Sequence, residues 1–498
     1  MINTIDFEIT PIDEAVEAIL EKIKEYFLKD IDDKFLSPLI ESSVAKLVDE
    51  LRQNLYCVIE YPYVDKVYRD SFYHYYSSKH FTYQRDCIRI ALFDGEITFN
   101  DFLTPENHDK LKKNFLGFFV IRPTINAIHG RSMISPLAFE NQDFQICRCK
   151  TSCLVYGVKL EVEGFPFSSQ DGETIRCAET TIWALMEYFG NRYAEYSPAL
   201  PAKIHKALER FSYERQLPSN GLTMDQVSFA LKEFGFGTRI YSMDAYQDEL
   251  YGIIDNYIES GIPVLLGLQN EEAGHVIIAI GKVSEGEKKR DAQEIKKIKM
   301  GMTEIGYIET CSFPAKYIVQ DDNFIPYKQI SLQRPGEHYE DDKCKNYLID
   351  SIVIPLYPKI YLEATLAKSL LLQVLTDDYV GHQFADGFIL RFYLASSRSF
   401  KQHVSTMVGM EDGLKSNIFM TKMPKFIWCG EVYSQEKFEA VDKITDGLII
   451  LDATEANKES IDALIFAGYP DRCITLNENN FVILHYNFNN FHYFSNLK

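Results

Sequence analysis

The order of helical and strand-like patterns between residues 151 and 330 constrains the fold of this 498-residue chain more than any other feature. Three amphipathic helical patterns come first, with apolar faces that include Ile182, Val227 and Ile253. Gly190 is a fitting end for the first helix, and a capping box from Thr223 to Gln226 begins the second. Strand-like runs follow at Val264 to Leu268, His275 to Ile280 and Tyr317 to Gln320. Helices that precede strands predict an α+β domain with helices packed on an antiparallel sheet, and they argue against a βαβ repeat.

The length of the chain predicts further domains on both sides of this segment. We expect an N-terminal mixed α/β domain at 1–150, the α+β domain at 151–330 and a C-terminal α+β domain at 331–498, and the flanking domains carry no sign of their role. The N-terminal range has a helical pattern between Pro11 and Asp30 and a strand pattern from Phe115 to Arg122. The C-terminal range has strand-like runs at Phe388 to Leu394, Lys425 to Val432, Leu448 to Asp452 and Phe481 to Tyr486, and a helical pattern from Ala456 to Phe466.

The composition narrows the class of protein. The chain carries 72 acidic and 52 basic residues, a net charge of −20, so nucleic acid or an anionic membrane would be repelled overall. No leader pattern and no apolar run of about 20 residues is visible. Ten dispersed cysteines do not indicate a disulfide framework. We therefore expect a cytoplasmic, multidomain protein outside the membrane, with free thiols and without general nucleic-acid binding.

One thiol in the α+β segment has the surroundings of a nucleophile. Cys177 precedes the first helical pattern, where the helix dipole and free N–H groups stabilise a thiolate, and Arg176 adds positive charge. His275 begins the second strand-like run, and Asp321 follows the third. A thiol, an imidazole and a carboxylate are the parts of a cysteine nucleophile, its base and the group that orients the base. Gln170 is a candidate donor to an oxyanion.

These candidates have structural alternatives. Cys177 could be a small buried hydrophobic residue, and Gln170 could be a polar loop residue. His275 could serve only to end a strand. Asp322 and Asn323 compete with Asp321 for the imidazole. Because side chains alternate along a strand, Asp321 and Asp322 should not both face His275, and Asp321 is favoured as the residue that continues directly from the strand.

Five short motifs in this order resemble the papain-like cysteine peptidases of the C39, bacteriocin-processing type. They are Gln170 to Phe189, Gly221 to Val227, Gly261 to Leu266, Gly274 to Gly281 and Tyr317 to Asp321. In that family a Gln precedes the catalytic Cys, a Gly-x-Pro leads a strand, a Gly-His opens the next strand and an Asp ends the last. The resemblance implies Cys177 as nucleophile, His275 as base, Asp321 as orienting group and Gln170 at the oxyanion. The chain departs from the family at Ala178, where Gly is common, and at Asp322, where Pro is usual.

The resemblance also implies an activity. It implies a papain-like central domain and a thiol hydrolase that cleaves a peptide or amide bond of a protein or peptide substrate through an acyl-enzyme, with no metal and no other cofactor. Two alternatives stay open. The same triad could transfer the acyl group to an amine, in the manner of a transglutaminase, or the domain could be a catalytically silent papain-like scaffold or sensor.

Two other segments have compositions that suggest a binding site. Cys147, Cys149 and Cys153 lack a fourth ligand at a zinc spacing, so we predict strand cysteines. The run from Tyr63 to Arg85 interleaves aromatic and basic residues as single-strand nucleic-acid platforms do, but the negative net charge favours a packed helix pair.

Two charged segments are predicted to be solvated. The run from Lys282 to Met300 is rich in Lys, Glu, Arg and Asp and is predicted to be an exposed insertion. Arg391, Arg398 and Lys401 could hold an anionic group, but a solvated strand edge is the simpler interpretation.

Overall fold

The computed structural model describes residues 4–27, 33–80, 83–124, 129–211, 217–218, 221–283, 295–312, 316–384, 387–456, 461–477 and 480–498. These ranges form a mixed α+β protein with mainly antiparallel sheets. None of their helices has both the length and the apolar character needed to cross a membrane.

The chain divides into two compact units. Unit 1 comprises residues 1–235, 265–280 and 318–353, and unit 2 comprises residues 236–264, 281–317 and 354–498. Each unit is therefore assembled from three separate stretches of sequence. The three consecutive domains expected from the sequence stay a prediction, since compactness groups residues by contact and not by independent folding.

The α-helices, numbered along the chain, are α1 (Ala15–Tyr26), α2 (Asp33–Asp49), α3 (Lys66–His74), α4 (Phe99–Leu103), α5 (His108–Asn114), α6 (Cys177–Arg192), α7 (Pro201–Leu208), α8 (Met224–Glu233), α9 (Met243–Tyr246), α10 (Glu249–Glu259), α11 (Asp342–Lys345), α12 (Ala364–Thr376), α13 (Ser397–Thr406), α14 (Asp412–Met420) and α15 (Gln435–Glu439).

The strands are β1 (Asp6–Pro11), β2 (Leu55–Tyr63), β3 (Cys87–Asp94), β4 (Phe115–Ile121), β5 (Met133–Ile134), β6 (Phe144–Ile146), β7 (Cys149–Val155), β8 (Val158–Gly164), β9 (Arg239–Ser242), β10 (Val264–Gln269), β11 (Gly274–Val283), β12 (Lys296–Met300), β13 (Thr303–Glu309), β14 (Tyr317–Gln320), β15 (Lys328–Ile330), β16 (Leu348–Ile354), β17 (Phe388–Ser396), β18 (Phe426–Tyr433), β19 (Gly447–Asp452), β20 (Leu464–Gly468), β21 (Cys473–Asn477) and β22 (Asn480–Leu484).

Unit 1 contains a five-stranded antiparallel sheet in the order β1–β2–β3–β4–β5. A second sheet runs in the order β15–β14–β11–β10–β16, and β6 pairs with β11. Helix α6 packs against α7, α8 and β7, and its buried side chains include Ile182, Trp183 and Phe189. The adjacency of β11 and β14 in the second sheet determines which side chains meet at the ends of these strands.

Several predicted elements of unit 1 are confirmed. Strand β14 has the predicted bounds, and α6 begins at Cys177 but continues two residues past Gly190. The capping box of α8 is present: the Gln226 side chain accepts a hydrogen bond from the Thr223 N–H, and the Thr223 hydroxyl accepts one from the Gln226 N–H. Two of the three predicted strand cysteines lie in β7, and the third follows β6 directly.

Unit 2 is built on an eight-stranded sheet in the order β12–β13–β17–β18–β19–β20–β21–β22. Strands β13 and β17 pair in parallel, and the pairs from β17 to β22 are antiparallel. One apolar cluster joins this sheet to α13 and α14, and it includes Phe400, Leu414, Ile427, Phe466 and Phe491. Four strand-like runs predicted from the sequence correspond to β17, β18, β19 and β22.

The helix predicted from Ala456 to Phe466 is wrong. Residues 457–460 lie outside the described part of the chain, residues 461–463 form a single 3₁₀ turn, and residues 464–468 form β20. Phe466 lies opposite Ile450 of β19 and in the apolar cluster. Pairing with a neighbouring strand overrides a helical periodicity that spans only a few residues.

The helix pair predicted between Tyr63 and Arg85 is only partly present. The segment forms one α-helix, α3, and one 3₁₀ turn at Tyr76–Ser78, and residues 81–82 lie outside the described ranges. The tyrosines Tyr68 and Tyr76 are buried and pack on each other, which accounts for the aromatic content by packing.

The prediction that Lys282 and Arg391 lie in solvated segments is wrong. Arg391 is 1% exposed, and its guanidinium donates to Glu259 Oε2 at 3.0 Å and to Glu431 Oε2 at 2.9 Å. Lys282 is also buried and pairs with the same Glu259. Arg398, by contrast, is exposed. Unit 2 therefore contains a buried ionic cluster, defined as Asp255, Glu259, Lys282, Arg391 and Glu431.

Candidate active site

The loop before α6 is held in shape by Asp171. Its buried carboxylate accepts hydrogen bonds from the backbone N–H groups of Glu173, Thr174 and Ile175 at 2.7–2.9 Å. The loop ends at Arg176, whose N–H donates to the Glu179 carboxylate, and Cys177 is the first residue of the helix. Cys177 is partly exposed, at a helix N-terminus whose dipole stabilises a negative charge.

His275 joins Cys177 to the sheet. It is the second residue of β11, it is 6% exposed, and the Cys177 side chain is one of the groups that raise the pKa of its ring. Its other contact is with Asp321, which follows β14: Nε2 of the ring lies 3.0 Å from Asp321 Oδ1. Since Asp321 occupies Nε2, Nδ1 is the nitrogen left for the thiol. The structure thus brings together the thiol, imidazole and carboxylate that the sequence singled out.

Asp321 is fully buried and is surrounded by donors. The Tyr339 hydroxyl donates to Oδ2 at 2.6 Å, and His338 Nε2 lies 3.4 Å from the same oxygen. The backbone N–H of Asn323 donates to Oδ1 at 3.1 Å. Burial alone would raise the pKa of this carboxyl, but the positive charge of His275 and these hydrogen bonds hold its pKa well below the usual range.

His275 is shifted in the complementary direction. Burial alone would lower its pKa, but the charge and hydrogen bond of Asp321, followed by the Cys177 side chain, raise it well above the ordinary value of 6.5. The ring therefore keeps its proton at neutral pH. A protonated imidazole places a positive charge beside the thiol.

Gln170 reaches the site through Asn323. Its Nε2 donates to Asn323 Oδ1 at 2.6 Å, and Asn323 Nδ2 lies 3.3 Å from His275 Nε2. An amide nitrogen carries two N–H donors, so this contact leaves the second for another acceptor. Gln170 is thus next to the imidazole, and its role at an oxyanion stays a prediction.

Two tyrosines enclose the imidazole ring. Tyr339 meets it edge-on, with 6.2 Å between ring centroids, and Tyr347 lies nearly parallel to it at the same distance. Burial, then contact with Cys344, raises the pKa of Tyr347 to about 12, and the Cys177 side chain also acts on it. These aromatic contacts restrict the ring to one orientation, as a group that exchanges protons with a thiol requires.

Asp322 also lies close to the ring. Its Oδ1 is 3.7 Å from His275 Nε2, although side-chain alternation predicted that only one of the two aspartates would face His275. The expectation is wrong because β14 ends at Gln320, so the alternation of a strand does not extend to either aspartate. Burial raises the pKa of Asp322 to about 7.

Ligand-type atoms of His275, Asp321 and Asp322 lie within 4.8 Å of one another, the one such group of three in the described part of the chain. His275 Nε2 and Asp321 Oδ1 are hydrogen-bonded to each other, so the His–Asp pair already explains this grouping. We therefore assign no metal site to it.

Sequence reasoning missed Asp171, His338, Tyr339 and Tyr347. For Asp171 a signal exists, because an Asp followed by Gly and Thr is typical of a turn in which the carboxylate accepts backbone N–H groups. The other three lie at residues 338–347, beyond the predicted end of the central domain at residue 330, in a stretch without helical or strand periodicity. No local pattern would have linked them to Asp321.

The chain matches no known protein-family model and no curated protein.

Replacing Tyr339 by phenylalanine should weaken the second sheet of unit 1. The change removes the strongest neutral donor to Asp321 and leaves a buried carboxylate oxygen with only a 3.4 Å contact to His338. A hydrogen bond to a charged group contributes about 1.5–3 kcal/mol, so we expect a loss of that size in the free energy of local opening. Hydrogen exchange of the backbone amides of β11 and β14 measures it.

Tyr347→Phe is the matched control for this change. It also removes a hydroxyl from a ring packed on His275, but among the described residues that hydroxyl makes no hydrogen bond to Asp321, whose Oδ2 accepts from Tyr339. Equal effects of the two variants on β14 would show that general packing, and not the bond to Asp321, is responsible.

Proposed function

We propose that this protein is a papain-like cysteine peptidase with a C39-like core, a thiol hydrolase that cleaves a peptide or amide bond in a protein or peptide. The observation that carries the proposal is the grouping of Cys177, His275 and Asp321 within unit 1, where the imidazole is hydrogen-bonded to the carboxylate and interacts with the thiol. A partly exposed thiol supported by a buried imidazole and a buried carboxylate is the arrangement of a nucleophile, its proton carrier and its orienting group.

The first half of the proposed reaction forms an acyl-enzyme. The Cys177 thiolate attacks the substrate carbonyl carbon, an S–C bond forms, and the carbonyl electrons move to oxygen. The backbone N–H of Cys177 and the available amide N–H of Gln170 stabilise that oxyanion. The His275 imidazolium then gives its proton to the amide nitrogen, the C–N bond breaks, and the amine leaves.

The second half releases the acid. Neutral His275 accepts a proton from water, the oxygen attacks the thioester carbon, and the S–C bond breaks with the electron pair returning to sulfur. Asp321 keeps the ring in one orientation and stabilises its positive charge throughout, with Tyr339 fixing the carboxylate in turn. The products are a carboxylic acid and an amine, and the thiolate–imidazolium pair is restored.

The proposal is tested by a search for new peptide N-termini. Purified full-length protein is incubated with a denatured cell extract, and the N-termini that appear are compared with those produced by Cys177→Ala. We expect wild-type-specific N-termini that share a local sequence preference. Cys344→Ala, which removes another partly exposed thiol of unit 1, should leave them unchanged.

The same experiment separates the alternatives. If added methylamine is incorporated at the new C-termini in preference to water, the triad performs acyl transfer. If the wild type and Cys177→Ala yield the same N-termini, the peptidase proposal is wrong and a silent scaffold or sensor is favoured.

A further inference from the structure

Asp322 is an acidic group beside His275 that has no role in the proposed mechanism. It is 6% exposed, and neither carboxylate oxygen has a hydrogen-bond partner among the described residues, apart from a contact with its own backbone N–H. A buried carboxyl without hydrogen-bond partners is costly to ionise and is uncommon in folded proteins. Such a group next to a reactive imidazole calls for a physical explanation.

The surroundings of Asp322 are partly apolar, and the charged groups that act on it are mostly acidic. A small cavity of about 10 Å³ beside it is lined in part by the apolar side chains of Phe167, Ala184 and Ile278. The charged groups that act on it are His275 from β11, Glu179 from α6 and the adjacent Asp321. Only His275 among these three is positive, so the ring is the group that responds when Asp322 gains or loses a proton.

We propose that Asp322 is a second acidic partner of His275, which stays a neutral acid at low pH and adds a negative charge beside the imidazolium at higher pH. It is a positioning residue, because it acts on the substrate only through the ring. This inference rests on the proposed function, in which the imidazolium must deliver a proton to the leaving amine.

The pH range of this effect follows from burial. Burial raises the pKa of Asp322 to about 7, with the charge of His275 acting against it and that of Asp321 adding to it. Above that pH the ionised carboxylate lies 3.7 Å from Nε2 and opposes loss of the ring proton. Asp322 therefore extends the protonated state of His275, and with it the thiolate–imidazolium pair, toward alkaline pH.

The test compares two alkylating reagents of nearly equal size across pH 4–10. Chloroacetate is an anion and chloroacetamide is neutral, so the ratio of their rates at Cys177 is high while His275 is positive and falls when the ring loses its proton. In Asp322→Asn, which has the same shape but cannot ionise, we expect this fall about one pH unit below that of the wild type. The acidic limb of the chloroacetamide profile should not move, because Asp322 is neutral there.

A second measurement, the thermal midpoint as a function of pH, distinguishes this role of Asp322 from a purely structural one. In the folded state the pKa of Asp322 lies above the unfolded value of about 3.9. The carboxyl therefore stabilises the fold when the pH is below about 3.9, and this contribution is lost as the pH rises toward 7. The thermal midpoint of Asp322→Asn should therefore exceed that of the wild type by an amount that grows from pH 4 to pH 7. The inference would be overturned if wild type and Asp322→Asn had the same ratio of chloroacetate to chloroacetamide rates at every pH, or if the variant lost reactivity uniformly across the pH range.

His275→Ala, measured in parallel, separates this inference from the proposed function. If alkylation of Cys177 does not depend on His275, the proposed function itself fails. If it depends on His275 but Asp322→Asn leaves the pH profile in place, only the role of Asp322 is wrong.

Discussion

Alkylation of Cys177 at pH 6 is expected to slow by at least about tenfold when His275 is replaced by alanine. On the proposed mechanism the imidazolium of His275 stabilises the attacking sulfur by its positive charge, and alanine removes that charge and the proton carrier. The rate is measured with chloroacetamide and mapped to individual cysteines by mass spectrometry.

Three comparisons make this result specific. The ratio between wild type and His275→Ala should shrink toward pH 9, where an unassisted thiol ionises by itself. Cys153 and Cys344, which are also partly exposed, should react at the same rates in both proteins. His108→Ala, which removes a histidine of unit 1 whose Nε2 lies 3.0 Å from the Phe102 carbonyl oxygen, should leave Cys177 unaffected. Labelling of all accessible cysteines at one rate, indifferent to His275, would contradict an activated nucleophile.

Replacing Arg391 by methionine is expected to destabilise unit 2 by about 3–5 kcal/mol. The guanidinium pairs with Glu259 and Glu431, donates to the Phe494 carbonyl at 2.6 Å and lies over the Tyr493 ring at 3.7 Å. Removing it leaves two buried carboxylates with one fewer positive charge, and that cost is larger than the net contribution of an intact pair. The buried ionic cluster keeps Lys282, but its ammonium contacts Glu259 and not Glu431.

The two tryptophans allow this change to be measured by unit. Trp183 belongs to α6 of unit 1 and Trp428 to β18 of unit 2, so in a Trp183→Phe background the remaining fluorescence reports unit 2 during urea unfolding. Lys437→Met, which breaks a half-exposed ion pair with Asp446, should cost at most about 1 kcal/mol. If Arg391→Met costs no more than this control, the cluster is not a determinant of stability.

Local patterns in the sequence identified the elements that carry the candidate site. The capping box at Thr223, the apolar face after Cys177 and the run Tyr317 to Gln320 depend on residues a few positions apart, and the structure has all three. The proximity of His275 and Asp321 was predictable from their positions at the ends of two strands. Such features are readable because periodicity and capping are properties of short segments.

The features that the sequence did not reveal depend on distant segments. Tyr339 donates a hydrogen bond to Asp321 from a loop without periodicity. Asp322 lies close to the His275 ring because β14 ends at Gln320, before either aspartate. Arg391 was expected at a solvated edge, but its carboxylate partners lie 132 and 40 positions away. Local sequence alone does not distinguish a charged residue that is buried against remote partners from one that is exposed.

The three stretches of unit 1 also determine when a newly made chain can become active. Cys177 is synthesised well before His275, and Asp321 and Tyr339 follow later still. At roughly 5–20 residues per second, the thiol leaves the ribosome about ten to thirty seconds ahead of Tyr339. Until His275 emerges, roughly 5–20 seconds after the thiol, Cys177 has no imidazole beside it, and the site is complete only once Tyr339 has followed. On the proposed mechanism, the nascent protein therefore cannot cleave its own N-terminal half or neighbouring nascent chains during synthesis.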